Sequence, residues 1–188
     1  MGFAFYTIGH STHEVTEFVD LLKGEQIGLV VDVRTVPRSR SNPQFNDDVL
    51  PQTLAQDQIG YERIATLGGL RGKQRDVAQD INAFWQNQSF HNYADYSLTE
   101  AFRSGFERLC ALGQEQSWAI MCAEAVWWRC HRRIIADYLL AAGETVFHIL
   151  GRGRIEPARM TTAAQPGPHG SLTYPAGDRA DTAPASRL

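Results

Sequence analysis

Reactive side chains gather in two parts of this sequence. The stretch WAIMCAEAVWWRCHRRIIADYL, residues 118–139, holds Cys122, Glu124, Cys130, His131 and Arg132, with Trp127 and Trp128 between the cysteines. A thiol near the first turn of a helix and beside arginines ionises more readily, so Cys130 reads as a candidate thiolate and Cys122 as its companion at the end of a buried strand. The other part runs from Gly9-His10-Ser11-Thr12 through VDVR, with Asp32 and Arg34, to Arg38 and Arg40. Gly9 permits a tight turn, Ser11 can cap the following helix, and a free helix N-terminus attracts anions. His10 at a strand end can act as general acid, base or ligand. Asp32 lies between Val31 and Val33 and therefore needs a partner. Two-residue spacing on a strand sends Asp32 and Arg34 to one face, so a structural ion pair competes with a role in orienting His10 or as a base.

The net charge is only -3, yet of the 18 cationic residues just Lys23 and Lys73 are lysine. Guanidinium groups suit two-point contact with phosphate or carboxylate, and Pro37 and Pro43 restrain the loop that bears Arg38 and Arg40. Trp127 and Trp128 either plug a surface or stack on a planar ligand such as a base. Cys122, Cys130 and His131, with His10 nearby, also suggest a zinc or iron site. Seven residues separate the two cysteines, however, which is longer than the usual ligand spacing. No cofactor is predicted, and a transition metal on Cys122, Cys130 and His131 stands as the alternative.

These residues need elements to hold them. FAFYTIGH (3–10) reads as a strand, and Ser11 with Glu14 as a capping box before the helical repeat Val15, Phe18, Val19, Leu22. LVVDVR (29–34) reads as a strand covered on both faces, followed by the loop TVPRSRSNPQF. A helix over about 47–57, a short strand at Tyr61–Ile64 and a Gly-rich basic loop, LGGLRGKQRD, come next. Residues 84–96 read as aromatic and irregular, 98–112 as an amphipathic helix and 118–122 as a strand. HRRIIADYLLAAG then forms a helix stopped at Gly143, and TVFHIL a last strand. Strands alternating with helices predict a three-layer α/β domain with a mostly parallel sheet of rhodanese-like or Rossmann-like order. Residues 1–159 form this single domain, and the Pro-, Gly- and Ala-rich residues 160–188 a flexible or loosely docked tail. Ligands of such sheets bind beyond the carboxyl ends of the strands, where both groups of reactive residues fall.

At 188 residues, 43% apolar and 21% charged, the chain has the composition of one globular domain. No apolar run approaches a membrane span, and the first residues do not resemble a cleavable leader. Three irregularly spaced cysteines suit a reducing compartment better than a disulfide framework, so a cytoplasmic protein is expected.

The motifs YTIGHS, VDVRTVPRSRSNPQFN, LGG (67–69), YADY (93–96), MCAE (121–124) and CHRR (130–133), in this order, resemble the uncharacterised prokaryotic domain-of-unknown-function family 488 over about residues 5–150. The resemblance marks Gly9, His10, Ser11, Asp32, Arg34, Pro37, Arg40, Cys122, Glu124, Cys130, His131 and Arg132, and implies no activity. The order strand, Cys, loop, Arg, helix is similar more distantly to rhodaneses and cysteine phosphatases. Its loop is longer, lacks their glycine and carries Glu124. The expectation is an enzyme acting on an anionic, phosphate-bearing ligand such as a nucleotide or nucleic acid. His10, Asp32, Cys122 and Glu124 are its catalytic candidates, and Gly9, Ser11, Arg34, Arg38, Arg40, Cys130, His131, Arg132, Trp127 and Trp128 its ligand-binding ones. The alternatives are a non-catalytic nucleic-acid-binding module using Arg38, Arg40, Arg71, Lys73 and Arg75, a cysteine-dependent sulfurtransferase or phosphatase, and a metal-binding protein. No membrane partner is expected, and a homodimer stays open.

Overall fold

Short apolar runs pair side by side in the computed structural model, which describes residues 3–113 and 116–177. Strands β1 (Phe5–Gly9), β2 (Leu29–Asp32), β3 (Gly60–Arg63), β4 (Trp118–Cys122), β5 (Val146–Gly151) and β6 (Arg154–Pro157) form one sheet in the order β3-β2-β4-β1-β5-β6. Every neighbouring pair is parallel except β5 with β6. Relative to the dinucleotide-binding order 3-2-1-4-5-6, β1 and β4 are exchanged.

Alternation along the strands divides the core in two. Leu29, Val31, Trp118 and Ile120 pack with Tyr93 of α3 (Gln88–Tyr96), Phe102 and Leu109 of α4 (Glu100–Leu112), and Ile134 and Leu139 of α5 (Arg132–Ala141). Their neighbours Ile8, Val30, Ala119 and Met121 pack with Phe18 and Leu22 of α1 (Val15–Gly24) and Leu50 and Leu54 of α2 (Leu50–Ala55). The result is the three-layer α/β arrangement, and it explains why the central strands are apolar on both faces. None of the described helices is long and apolar enough to cross a membrane.

Several local expectations are corrected. Ser11 does not cap α1: its φ is 46°, its N–H donates to the Ala123 carbonyl at 3.0 Å, and the helix starts at Val15 behind Glu14, whose side chain makes no capping bond. The turn is shaped by its pairing with the loop after β4, which a capping-box pattern cannot register. Residues 88–96, expected to be irregular, are helical because the Asn87 side chain accepts the N–H groups of Ser89 and Phe90. TVFHIL is not the last strand, since the chain turns back into β6 and later forms the hairpin β7 (Gln165–Pro166) and β8 (Leu172–Thr173).

Beyond residue 159, Leu172 and Tyr174 are fully buried. The Tyr174 N–H donates to Asn82 Oδ1 at 2.9 Å and its hydroxyl to Asp137 Oδ2 at 3.0 Å, while the Thr161 N–H donates to Asp137 Oδ1 at 2.8 Å. A composition poor in large apolar groups conceals the two side chains that dock this segment. The rest of the expected tail, 178–188, lies outside the described residues.

The loop after β4 passes directly over the end of β1. A Cβ on Gly9 would collide with the Glu124 carbonyl oxygen. Gly9→Ala is therefore expected to cost about 1–3 kcal/mol through overpacking, read as a lower urea midpoint. An unchanged midpoint would mean that the loop moves aside freely.

Candidate functional site

Gly9, His10, Asp32, Arg34 and Cys122 lie at the carboxyl ends of β1, β2 and β4, with Cys130, His131 and Arg132 beside them at the start of α5, and the sheet separates these residues into two groups. Asp32 is opposite Met121 in the register, and Gly9 is opposite Cys122. Counting in twos from the core positions sends His10, Asp32 and Arg34 to the α1/α2 side and Cys122 to the side of α5.

On the first side a closed polar network forms. Asp32 is completely buried, and Arg34 donates to it from Nε at 2.9 Å and from Nη2 at 2.6 Å. The Tyr61 hydroxyl donates to Asp32 Oδ2 at 2.6 Å, and Arg34 Nη2 also reaches the Phe45 carbonyl at 2.8 Å. Arg34 Nη1 lies 3.2 Å from His10 Nε2, and His10 Nδ1 lies 2.9 Å from the Ser11 carbonyl. A guanidinium only donates and a carbonyl only accepts, so Nδ1 carries the proton and Nε2 the lone pair. Burial, aided by Arg34, pushes the His10 imidazole down to about 4, and its ring stacks on Phe45 at 4.4 Å. Against the lowering effect of burial, Asp32 holds the Arg34 guanidinium above its ordinary value. Burial and the bond to Asp32 raise the Tyr61 phenol. Both nitrogens of His10 and most donors of Arg34 are thus used within the protein.

The second group is sparer and opens onto space. His131 Nε2 lies 3.0 Å from the Val33 carbonyl and must donate to it, so Nδ1 is the nitrogen that faces Cys130 Sγ at 3.6 Å and Cys122 Sγ at 4.0 Å. Buried Arg132 donates from Nε to Cys130 Sγ at 3.2 Å and from Nη2 to the Glu124 carbonyl. Burial alone would raise Cys130, but the Cys122 thiol, Arg132 and His131 outweigh it and hold Cys130 well below the ordinary thiol range. Cys122 is raised, first by its hydrogen bond to Cys130 and then by burial. Cys110, in α4 and away from this cluster, is pushed up to about 11 by burial and by Glu144 and Glu107.

The LGG and YADY motifs take their meaning from this cluster. Gly69 lies so close to the His131 ring that a Cβ would collide with it. The Tyr93 and Tyr96 hydroxyls donate to the carbonyls of Leu67 and Thr66, each at 2.7 Å, and so fix the glycine loop against the ring. Tyr61, Phe45 and Val33 also serve the site, and residue type gave no signal for them.

A pocket of about 300 Å³ lies over the cysteines, walled by Val36, Leu70, Phe90 and Gly69, with Glu124 and Arg129 also lining it. An adjoining recess of about 340 Å³ shares Arg34, Val36, Ala123 and Glu124 with it and carries Ser11, Thr12, Arg38 and Asn42. Arg38 pairs with Asp47 and Asp48 at 3.2 Å each, and Arg40 is exposed on the same loop. Trp127 stacks on His148 at 4.3 Å and meets Trp128 edge-on, so one face of Trp127 is taken within the protein.

Comparisons with curated proteins and with solved structures each found no match. Residues 14–139, well over half of the sequence and including the VDVR, LGG, YADY, MCAE and CHRR motifs, match the domain of unknown function DUF488, and the chain belongs to that family.

Proposed function

We propose that this protein is an enzyme acting on an anionic ligand at the carboxyl edge of the sheet, with the Cys130 thiolate as the electron-pair donor of its reactive centre. The observation that carries this reading is the contact of Arg132 with Cys130 Sγ. Arg132 is only 1% exposed, and among the described residues its hydrogen bonds go to Cys130 Sγ and the Glu124 backbone carbonyl, with no carboxylate pairing with it. A buried cation needs a compensating anion, and the sulfur it touches is the available one. His131 supports the same sulfur from the other side, in the way a base attends a nucleophile.

The shape of the space supports a ligand with an apolar, planar part and an anionic part. The apolar walls Val36, Leu70 and Phe90 stand over the cysteines, while Arg129 lines that pocket and Arg38, Ser11 and Thr12 line the recess. A nucleotide is the size and character of molecule that would span both. On this reading His10, Asp32 and Arg34 position the strand ends, and the sulfur cluster does the chemistry. The nucleic-acid-binding alternative has less support. Arg71 lies 4.0 Å over the Tyr96 ring and donates to the Gly68 and Ala65 carbonyls, so it is engaged at home.

Alkylation tests the reading. With iodoacetamide at pH 6.5 and a chelator present, Cys130 is expected to label at least about tenfold faster than Cys110, as a lowered thiol pKa dictates. Arg132→Gln should remove that advantage, and millimolar ATP should slow the labelling of the unaltered protein. Equal, slow labelling of Cys110, Cys122 and Cys130 would refute the thiolate centre.

A further inference from the structure

We infer that Cys122, Cys130 and His131 form a binding site for one borderline-soft divalent cation, Zn²⁺ foremost, with a fourth coordination position open to the pocket. The inference rests on the reading of this cluster as the reactive centre and says what electrophile the sulfur holds. The three donor atoms lie within 4.8 Å of one another. With Zn–S near 2.3 Å and Zn–N near 2.0 Å, tetrahedral coordination separates sulfur from nitrogen by about 3.5 Å. The distances from His131 Nδ1 to Cys130 Sγ and Cys122 Sγ, 3.6 Å and 4.0 Å, are close to that edge, so the donors need little movement to close on an ion.

The surroundings suit a ligand set as well as the distances do. Metal-bound histidines usually donate their second ring N–H to a carbonyl or carboxylate, and His131 Nε2 donates to Val33 O. Gly69 on the ring and Tyr93 at 5.0 Å leave the imidazole little freedom to turn away. Arg132 Nε supplies an N–H···S bond to Cys130. The seven-residue separation of the cysteines, long for a linear motif, is closed by the single helical turn at Trp127–Arg129, which returns the chain from the end of β4 to the start of α5. Two thiolates and one imidazole favour Zn²⁺ over Mg²⁺ or Ca²⁺. Three protein donors beside a pocket match the arrangement of zinc sites that keep a position for water or substrate.

Binding takes both sulfurs as thiolates, and any thiol proton goes to solvent. It forms two sulfur–metal bonds and one nitrogen–metal bond, and nothing is oxidised or reduced. Two thiolates neutralise the ion and Arg132 adds one positive charge, so the fourth position favours an anion, in keeping with an anionic ligand.

The test uses the full chain, purified without an affinity tag and given Zn²⁺ or Co²⁺ alone. About one Zn²⁺ per chain is expected to survive gel filtration. Co²⁺ should give a thiolate-to-cobalt charge-transfer band, and the ion should protect Cys122 and Cys130, but not Cys110, from iodoacetamide. Cys122→Ser and Cys130→Ser are expected to weaken Zn²⁺ binding by about 100-fold or more, with Cys110→Ser unchanged. The protection assay needs no variant, so a substitution that fails to fold does not blunt it. Unprotected thiols and no charge-transfer band at millimolar Co²⁺ would overturn the metal site. If Cys130 then still labels rapidly, the thiolate centre stands without a metal; if it labels no faster than Cys110, both readings fall.

Discussion

Asp32→Asn is expected to cost about 3–5 kcal/mol of folding stability, the range for removing one partner of a buried ion pair. The reason is the isolation of Arg34, which is 4% exposed and has Asp32 as its sole anionic partner among the described residues. Without that carboxylate a guanidinium remains in the core with a carbonyl and a neutral imidazole for company. The asparagine oxygen can still accept from the half-buried Tyr61 hydroxyl, so the cost falls on the Arg34 charge and on the N–H donors that meet the new amide NH2. Urea denaturation with a linear extrapolation measures the effect. The double replacement Asp32→Asn with Arg34→Met should recover much of the loss, because burying neither charge is often no worse than burying both. A loss below about 1 kcal/mol for the single change would mean that water reaches Arg34.

Acidification should weaken the fold well above the pH at which ordinary carboxylates protonate. Burial is the leading cause that pushes His10 down to about 4 and His148 down to about 3. Arg34 and Arg132 add to the depression of His10, Asp32 opposes it, and Arg132 also acts on His148. In the unfolded chain both rings titrate near 6.5. Their stabilisation is therefore complete above pH 6.5 and is lost as the pH falls toward the folded values, because the unfolded chain takes up protons that the folded one refuses. Asp137 works in the opposite direction. Burial raises it to about 6, so below that pH the folded protein gains a proton which the unfolded chain accepts only nearer 4. Two protons against one leave a net loss of about 3 kcal/mol between pH 6.5 and 4.5, at roughly 1.4 kcal/mol per proton per pH unit. His148→Gln should flatten that dependence. Stability that is constant or rises on acidification over this interval would contradict the assignment.

Asp32, Arg34 and His10 stood out in the sequence by type but their partners did not, whereas His148 and Asp137, which share in the pH effect, carried no signal. Asp32 between two valines announced a need for a counter-charge, and two-residue spacing supplied Arg34. The consequence that Arg34 is consumed by that pairing emerges only once Phe45 and His10 close around it. Cys122, Cys130 and His131 were recognisable as reactive, yet linear spacing argued against their joint use. Spacing rules assume a short turn, whereas here the turn at Trp127–Arg129 covers a seven-residue gap. Strand and helix periodicity carried most of the α/β layout because each central strand is buried on both faces. It could not carry strand register, and register decides that Asp32 and Cys122 face opposite sides of the sheet. The stacking of Trp127 on His148 had no sequence signal, since 21 positions separate two residues whose meeting depends on β4 and β5 flanking β1.

The order β3-β2-β4-β1-β5-β6 has a consequence for how the chain is made. β1 leaves the ribosome first, but its neighbours are β4 and β5, which begin at Trp118 and Val146. For more than 100 residues of synthesis the apolar segment FYTIG has neither edge satisfied. Such an unpaired strand invites intermolecular pairing. The turn bearing His10 is thus made well before the strands that complete it. Its completion reports that both halves of the sheet have joined.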